Sequence, residues 1–171
     1  MDNNTDSEAI LLYTIGHSNH TGEAFLALLQ QHGINCLVDV RSQPYSRYNP
    51  QFNRETLIKS LQTAQIRYLH MGDTLGGRPD QADLYDAGQT HPNYSSQRLT
   101  DRYQQGLYQL VKLAHQTTVA MMCSEGNPHE CHRLWLITPD LLDLGITVLH
   151  IHPDGNLETA EKTLEQLGLG F

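Results

Sequence analysis

The chain has 171 residues, a formal net charge of −8 and only three cysteines. A chain of this length buries enough apolar surface to fold without a metal or a disulfide, and its acidic charge excludes a general nucleic-acid binder. No apolar run approaches the roughly 20 residues of a membrane span, and the opening MDNNTDSEAI lacks the basic and apolar regions of a secretion signal. We therefore expect a soluble, cytoplasmic protein with reduced thiols and no membrane partner.

Short apolar runs rich in β-forming residues alternate with segments of helical periodicity along the chain. Strands are predicted over residues 11–16, 36–40, 66–71, 117–123 and 146–152. Helices are predicted from the Thr21 cap to Gly33, from about Asn53, from Ser95 to Ala114, over 128–143, and near the C-terminus through Ala160, Leu164 and Leu167. Residues 72–94 form a connection long enough to be a binding loop or a lid.

This alternation predicts a single α/β domain of three layers over residues 11–171, after a flexible segment at 1–10. Right-handed crossovers give a mainly parallel sheet of about five strands with helices on both faces. In such sheets ligands bind beyond the carboxyl ends of the strands. Polar side chains lie at these predicted ends, so we expect a functional site there; they are His17, Arg41, His70, Cys123, His150 and His152.

The stretch MMCSEGNPHECHRLW follows the fourth predicted strand and holds two cysteines. Asn127, followed three residues later by Glu130, predicts a helix that begins just after it. Cys123 would then lie before a helix N-terminus, where backbone N–H groups and a nearby guanidinium favour a thiolate, or it would only pack at the strand end. We expect Cys131 and Cys36 to be buried as small apolar side chains.

Two other interpretations of this stretch involve a metal or a disulfide. As ligands, Cys123, His129, Cys131 and His132 lack the paired spacings of zinc sites, and adjacent ligands on one helix diverge by about 100°. We therefore predict no metal and no cofactor. The spacing of Cys123 and Cys131 permits a bridge, which in a reducing compartment would be a redox event.

Four arginines lie at predicted strand ends or in the loops that follow, whereas the three lysines fall in predicted helices; the arginines are Arg41, Arg47, Arg78 and Arg133. A guanidinium suits a carboxylate or a phosphate, so this distribution predicts a small anion site on an acidic surface. His17 and Ser18, after the first strand, offer further donors to the anion. Asp39 shares a strand face with Arg41, where it either orients the guanidinium or forms a structural ion pair.

Several motifs together resemble the successive signatures of a bacterial family known as domain of unknown function 488. They are YTIGHSNHTGEAF, LVDVRSQPYSRYNPQFN, YLHMGDTLGGR, MMCSEGNPHECHR and VLHI, which cover nearly all of residues 11–152 in order. The resemblance implies no particular reaction, but it points to the same residues: His17, Arg41, Arg47, Arg78, Cys123, Glu125, Cys131, His132 and Arg133. A looser similarity, in LVDVR and the position of Cys123, is to rhodanese-like domains at the level of the fold.

We interpret the chain as an enzyme, a hydrolase or transferase, acting on a small anionic or phosphate-bearing substrate such as a nucleotide. Cys123 is the predicted nucleophile and Glu125 or His132 the acid/base. Arg41 and Arg133 are the predicted anion clamp, and His17, Ser18, Arg47 and Arg78 further binding residues.

Two alternatives remain open. The first is a non-catalytic module that binds a nucleotide or a nucleic-acid end locally, through the same arginines and loop tyrosines. The second is a metal-binding protein that uses Cys123, Cys131 and histidines.

Overall fold

Six strands form the sheet at the centre of the computed structural model, which describes residues 8–163 and 167–168. They are β1 Leu11–Gly16, β2 Cys36–Asp39, β3 Arg67–His70, β4 Val119–Cys123, β5 Thr147–Ile151 and β6 Leu157–Thr159. Their order in the sheet is β3-β2-β4-β1-β5-β6, with parallel pairs up to β5 and β6 antiparallel to it. The α/β class is confirmed, as are the five predicted strands to within two residues at each end.

Helices cover both faces of this sheet. They are α1 Gly22–Gln31, α2 Arg54–Thr63, α3 Gly72–Leu75, α4 Tyr94–Arg98, α5 Asp101–Ala114 and α6 Thr138–Asp143. The Thr21 side chain caps α1 by accepting a hydrogen bond from the Ala24 amide at 3.1 Å. Gly33, at a φ of +66°, turns the chain away after α1, as predicted. Within the described ranges, no helix is long and apolar enough to cross a membrane.

Two separate cores lie on the two faces of the sheet. One contains Phe25 of α1 and Leu57 of α2, and the other contains Tyr103 of α5 and Leu141 of α6. The buried strand β4 supplies side chains to both, because successive side chains of a strand point to opposite faces. Met122 packs in the first core, whereas Met121 and Cys123 pack in the second; we call these the α1/α2 face and the α5/α6 face.

The neighbouring strands β1 and β4 end at the same edge, and the chain leaves them toward opposite faces. Their pairing extends beyond the strands, since the amides of His17 and Ser18 donate to the carbonyls of Cys123 and Ser124, each at 2.9 Å. A ligand crevice is expected where connections diverge in this way. Gly16 is required at this point, because a Cβ atom there would collide with the Glu125 carbonyl.

The predicted helix from Ser95 to Ala114 is wrong in one respect, because the structure divides it into α4 and α5. Thr100 lies between them in extended conformation, and its side chain accepts a hydrogen bond from the Tyr103 amide at 3.3 Å. This N-cap begins a new helix. Leu99, predicted on the apolar stripe, is therefore 83% exposed.

The predicted helix over 128–143 is also divided. A 3-10 turn, Pro128–Glu130, is followed by a π-helical turn, Arg133–Ile137, and then by α6. Pro139 has no amide hydrogen and is tolerated because it lies in the first turn of α6. The Arg133 carbonyl accepts hydrogen bonds from both the amide and the hydroxyl of Thr138, and this closes the wider turn.

The predicted C-terminal helix is not present where the structure describes it. Residues 157–159 form β6, and residues 160–163 are not helical, while Leu164 lies outside the described residues. The segment 72–94 contains α3 and the 3-10 turn Ala82–Leu84. Its role as a lid stays a prediction.

Gly16→Ala should lower the free energy of unfolding by about 1–3 kcal/mol, because the new methyl group must displace the chain at Glu125. Gly22→Ala is the matched control, since a Cβ atom at that position meets nothing within 4 Å. We expect it to change stability by less than about 0.5 kcal/mol. Urea unfolding followed by circular dichroism measures both, and equal effects would contradict the close approach of β1 to residue 125.

Candidate functional site

The sulfur of Cys123 lies between two side chains of opposite charge at the end of β4. The Nη1 group of Arg133 donates to Sγ at 2.9 Å, and Oε2 of Glu125 lies 3.0 Å from the same sulfur. Cys123 is buried, whereas Glu125 is exposed. The sulfur therefore has a cation that stabilises a thiolate and a carboxylate that can accept the thiol proton.

Arg133 is fully buried and fixes this arrangement. Its Nε donates to Thr14 Oγ1 at 3.1 Å, and its two terminal nitrogens donate to the carbonyls of Glu125 and Gly126 at 2.6 and 3.1 Å. Burial lowers the pKa of Arg133 to about 10, although the Glu125 charge raises it, so the guanidinium remains charged at neutral pH. The N–H groups of this guanidinium donate to atoms of the protein. The side chain therefore positions Cys123 and the loop that follows it.

Cys123 and Cys131 are joined as a disulfide across this loop. The turn after β4 folds back and brings the two sulfurs together, so the bridge that the spacing permits is the pairing present here, and the expectation of reduced thiols in a reducing compartment stays a prediction. Cys36 is free and buried, as predicted. A disulfide sulfur carries no proton, so the contact between Cys123 and Glu125 is a hydrogen bond only after reduction.

His132 lies beside Cys131, with its Nδ1 atom 3.8 Å from Sγ. Its Nε2 donates to the Val40 carbonyl at 3.1 Å, so the neutral ring presents an Nδ1 lone pair to the sulfur. Burial lowers the pKa of His132 to about 4, which keeps the ring neutral at pH 7. Cys123, Cys131 and His132 offer ligand atoms within 4.8 Å of one another, and they form the one such group of potential metal ligands in the described part of the chain.

Arg41 and His17 lie on the α1/α2 face, away from Arg133. Arg41 pairs with Asp39 through hydrogen bonds of 2.9 and 2.7 Å and also donates to the Phe52 carbonyl. The ring of His17 stacks on Phe52 with centroids 4.5 Å apart. Among the described residues, Arg41 and Arg133 share no hydrogen-bond partner, and their neighbours belong to different cores, so the two guanidinium groups of the predicted clamp lie on different faces of the sheet.

The other predicted binding residues lie nearer the surface. Arg78 is exposed, and its charge acts on the half-buried Tyr94, whose pKa is raised by burial and then by Glu125. Arg47 is exposed in the loop after β2. Ser18 has a φ of 47° and is anchored through its amide to residue 124. Arg78 and Ser18 therefore border the chain segment that carries Cys123 and Glu125.

Thr14 is a site residue that the sequence reasoning missed. It pairs in register with His150, and its hydroxyl donates to Nδ1 of that ring at 2.6 Å while it accepts from Arg133. The sequence does contain a signal for this contact, because Thr14 and His150 are polar residues at positions of buried strands where an apolar side chain is expected. Burial, and then the Arg133 charge, lower the pKa of His150 to about 4, so this ring is also neutral at pH 7.

A family model described as "Domain of unknown function DUF488" matches residues 21–138, which is more than half of the chain. The chain belongs to this family. The match includes β2, β4 and the turn with Cys123, Cys131 and Arg133, so this site is part of the family domain. No curated protein and no solved structure matches the chain, and the similarity to rhodanese-like domains stays a prediction.

The free energy of unfolding should fall as the pH drops from 6.5 to 4. His17, His132 and His150 each have a folded pKa of about 4 against an ordinary value of 6.5. In that window the unfolded chain binds more protons, so each ring contributes a slope of up to about 1.4 kcal/mol per pH unit, and its contribution is fully present above pH 6.5.

Urea unfolding at several pH values measures this slope. His150→Gln should reduce the slope, whereas His115→Gln, which changes an exposed residue after α5, should leave it unchanged. Stability that is flat between pH 6.5 and 4 would contradict the neutral, buried state of these rings.

Proposed function

We propose that the chain is a cysteine-dependent enzyme, a hydrolase or a transferase, whose nucleophile is the reduced thiolate of Cys123. The observation that carries the proposal is the position of Sγ between the Arg133 guanidinium and the Glu125 carboxylate. We assign the enzyme to a reducing cytosol, where cellular thiols open the disulfide and free the nucleophile.

Each neighbour of Cys123 has a separate task in this proposal. Glu125 accepts the thiol proton and returns it to the leaving group, and its exposure gives that proton a path to the substrate. Arg133 favours the thiolate and cannot turn away, because Thr14 and two backbone carbonyls hold the guanidinium. The neutral ring of His132 supports the adjacent Cys131.

The substrate in this proposal is a small anionic or phosphate-bearing molecule. Arg133 is fully buried, so substrate charge is recognised by the exposed guanidinium groups of Arg78 and Arg47 and by the loop at Ser18. Arg78 is favoured among them, since its charge and that of Glu125 act on the same tyrosine, Tyr94. Arg41, paired with Asp39, supports the β2 end of the crevice.

A metal centre is the second candidate, and the orientation of His132 favours it. Histidine ligands usually donate their second ring nitrogen to a backbone carbonyl, as Nε2 of His132 does to Val40. Two thiolates and one imidazole suit a zinc ion. The guanidinium 2.9 Å from the Cys123 sulfur opposes a second cation there, and for this reason we rank the metal centre below the cysteine enzyme.

After reduction, iodoacetamide should modify Cys123 at least about tenfold faster than Cys36 or Cys131 near neutral pH, because the guanidinium that contacts its sulfur stabilises the thiolate. Arg133→Lys should slow the reaction, whereas Arg102→Lys, at an exposed ion pair, should not. Peptide mapping gives the three rates. Small phosphate-bearing esters should also be turned over by the native chain and not by Cys123→Ser. If Cys123 reacted with iodoacetamide more slowly than both Cys36 and Cys131, Cys123 would not be the nucleophile.

Metal analysis of the reduced protein separates the two candidates. The cysteine-enzyme proposal predicts well under one zinc ion per chain and a fold that survives chelator, because the two cores are large enough without a metal. Cobalt(II) absorption is the second readout, since thiolate ligands give it a charge-transfer band. One tightly held zinc per chain, lost in Cys131→Ser and His132→Gln but kept in His129→Gln, would make the metal centre the better description.

A further inference from the structure

The disulfide occupies the same sulfur that the proposed function needs as a nucleophile. While Cys123 is bonded to Cys131, no thiolate is available at the end of β4. The two cysteines also have different surroundings, and these surroundings determine which of them reacts first with an oxidant.

Cys123 has the surroundings of an attacking thiol. The Arg133 side chain donates to its sulfur, and an exposed carboxylate lies 3.0 Å away. Cys131 has longer polar contacts than Cys123 has. Its sulfur faces the neutral His132 ring at 3.8 Å and receives a long contact of 3.5 Å from the Arg133 amide. The guanidinium and the carboxylate in contact with Cys123 favour its thiolate and make this sulfur the site of attack.

From this asymmetry we infer that Cys131 is the resolving cysteine in a reversible oxidation of Cys123 by small hydroperoxides. The inference deepens the proposed function, because it adds an activity and a means of control to the same nucleophile. Formation of the disulfide does not itself require that the chain be a hydrolase or a transferase.

The reaction has two balanced steps. In the first, the Cys123 thiolate attacks the terminal oxygen of ROOH, the O–O bond breaks, and the leaving RO⁻ takes the proton that Glu125 received from Cys123, giving Cys123–SOH and ROH. In the second, the Cys131 sulfur displaces hydroxide from the sulfenic acid, and its thiol proton completes a water molecule. Two electrons pass from the dithiol to the peroxide, and an external thiol later returns the pair to the reduced state.

Two features of the structure support the second step. The two sulfurs face each other across the turn, so the resolving thiol lies next to the sulfur that it attacks. Arg133 contacts both sulfurs, one through its side chain and the other through its amide, and therefore fixes their relative positions. Cys36, in the core at the opposite end of its strand, is not joined to this pair.

The test uses the full-length chain, reduced and then freed of reductant, with one equivalent of hydrogen peroxide and with dimedone as a trap for sulfenic acid. The native chain should form the 123–131 disulfide with little dimedone adduct. Cys131→Ser should accumulate the adduct at Cys123, by at least about tenfold over the native chain. Cys123→Ser should leave Cys131 as a thiol, and Cys36→Ser should behave as the native chain does.

Several outcomes would overturn the inference. One is an adduct on Cys131 in the Cys123→Ser chain, and another is sulfenic acid at Cys123 of the native chain that never proceeds to the disulfide. Cys131→Ala and peptide mapping of the native chain keep the test decisive if Cys131→Ser does not fold. Rapid iodoacetamide modification of Cys123 without disulfide formation would reject the inference alone, whereas disulfide formation by a chain that turns over no ester would reject only the proposed function.

Discussion

A buried guanidinium is the constraint on which the site depends. Arg133 is completely removed from solvent, and taking a cation out of water costs several kcal/mol unless acceptors replace the lost hydration. Here the acceptors come from three parts of the chain: Thr14 in β1, the sulfur at the end of β4, and the carbonyls of the loop that follows. The charge therefore ties together the ends of β1 and β4, from which the chain leaves toward opposite faces of the sheet.

The irregular backbone around this residue follows from the same requirement. A regular helix over 128–143 would place Arg133 at a position set by 3.6 residues per turn. The structure instead has a 3-10 turn, an extended Cys131 and a π-helical turn beginning at Arg133. These changes in helical phase bring the side chain toward Thr14 and place Cys131 against Cys123. Gly16 completes the arrangement, because only a residue without a side chain allows the Glu125 carbonyl so close to β1.

Much of the fold could be predicted from sequence because its signals are local. Buried strands such as VAMMC and caps such as Thr21 depend on neighbouring residues, and they lie where predicted. The divided helices could not be predicted from periodicity, since Leu99 fits a stripe whether or not Thr100 begins a new helix. In the site, the proximity of Cys123, Glu125 and Arg133 could be predicted, because all three lie within one turn of the chain after β4. The separation of Arg41 from Arg133 could not be predicted, because it depends on which face of the sheet each side chain takes at the edge.

The two faces of the sheet thus hold different kinds of polar group at one edge. On the α1/α2 face, the charge of Arg41 is matched by the carboxylate of Asp39, and Tyr68 donates to the same carboxylate. On the α5/α6 face, no carboxylate of the described residues is in direct hydrogen-bond contact with Arg133, and its neighbours are a hydroxyl, two carbonyls and a sulfur. A cation without a directly bonded anion favours a negative charge on the group that it contacts, and of those neighbours only the sulfur, once it is reduced to a thiol, can ionise. This imbalance is the physical reason for assigning the chemistry to Cys123 and a supporting role to the Asp39–Arg41 pair.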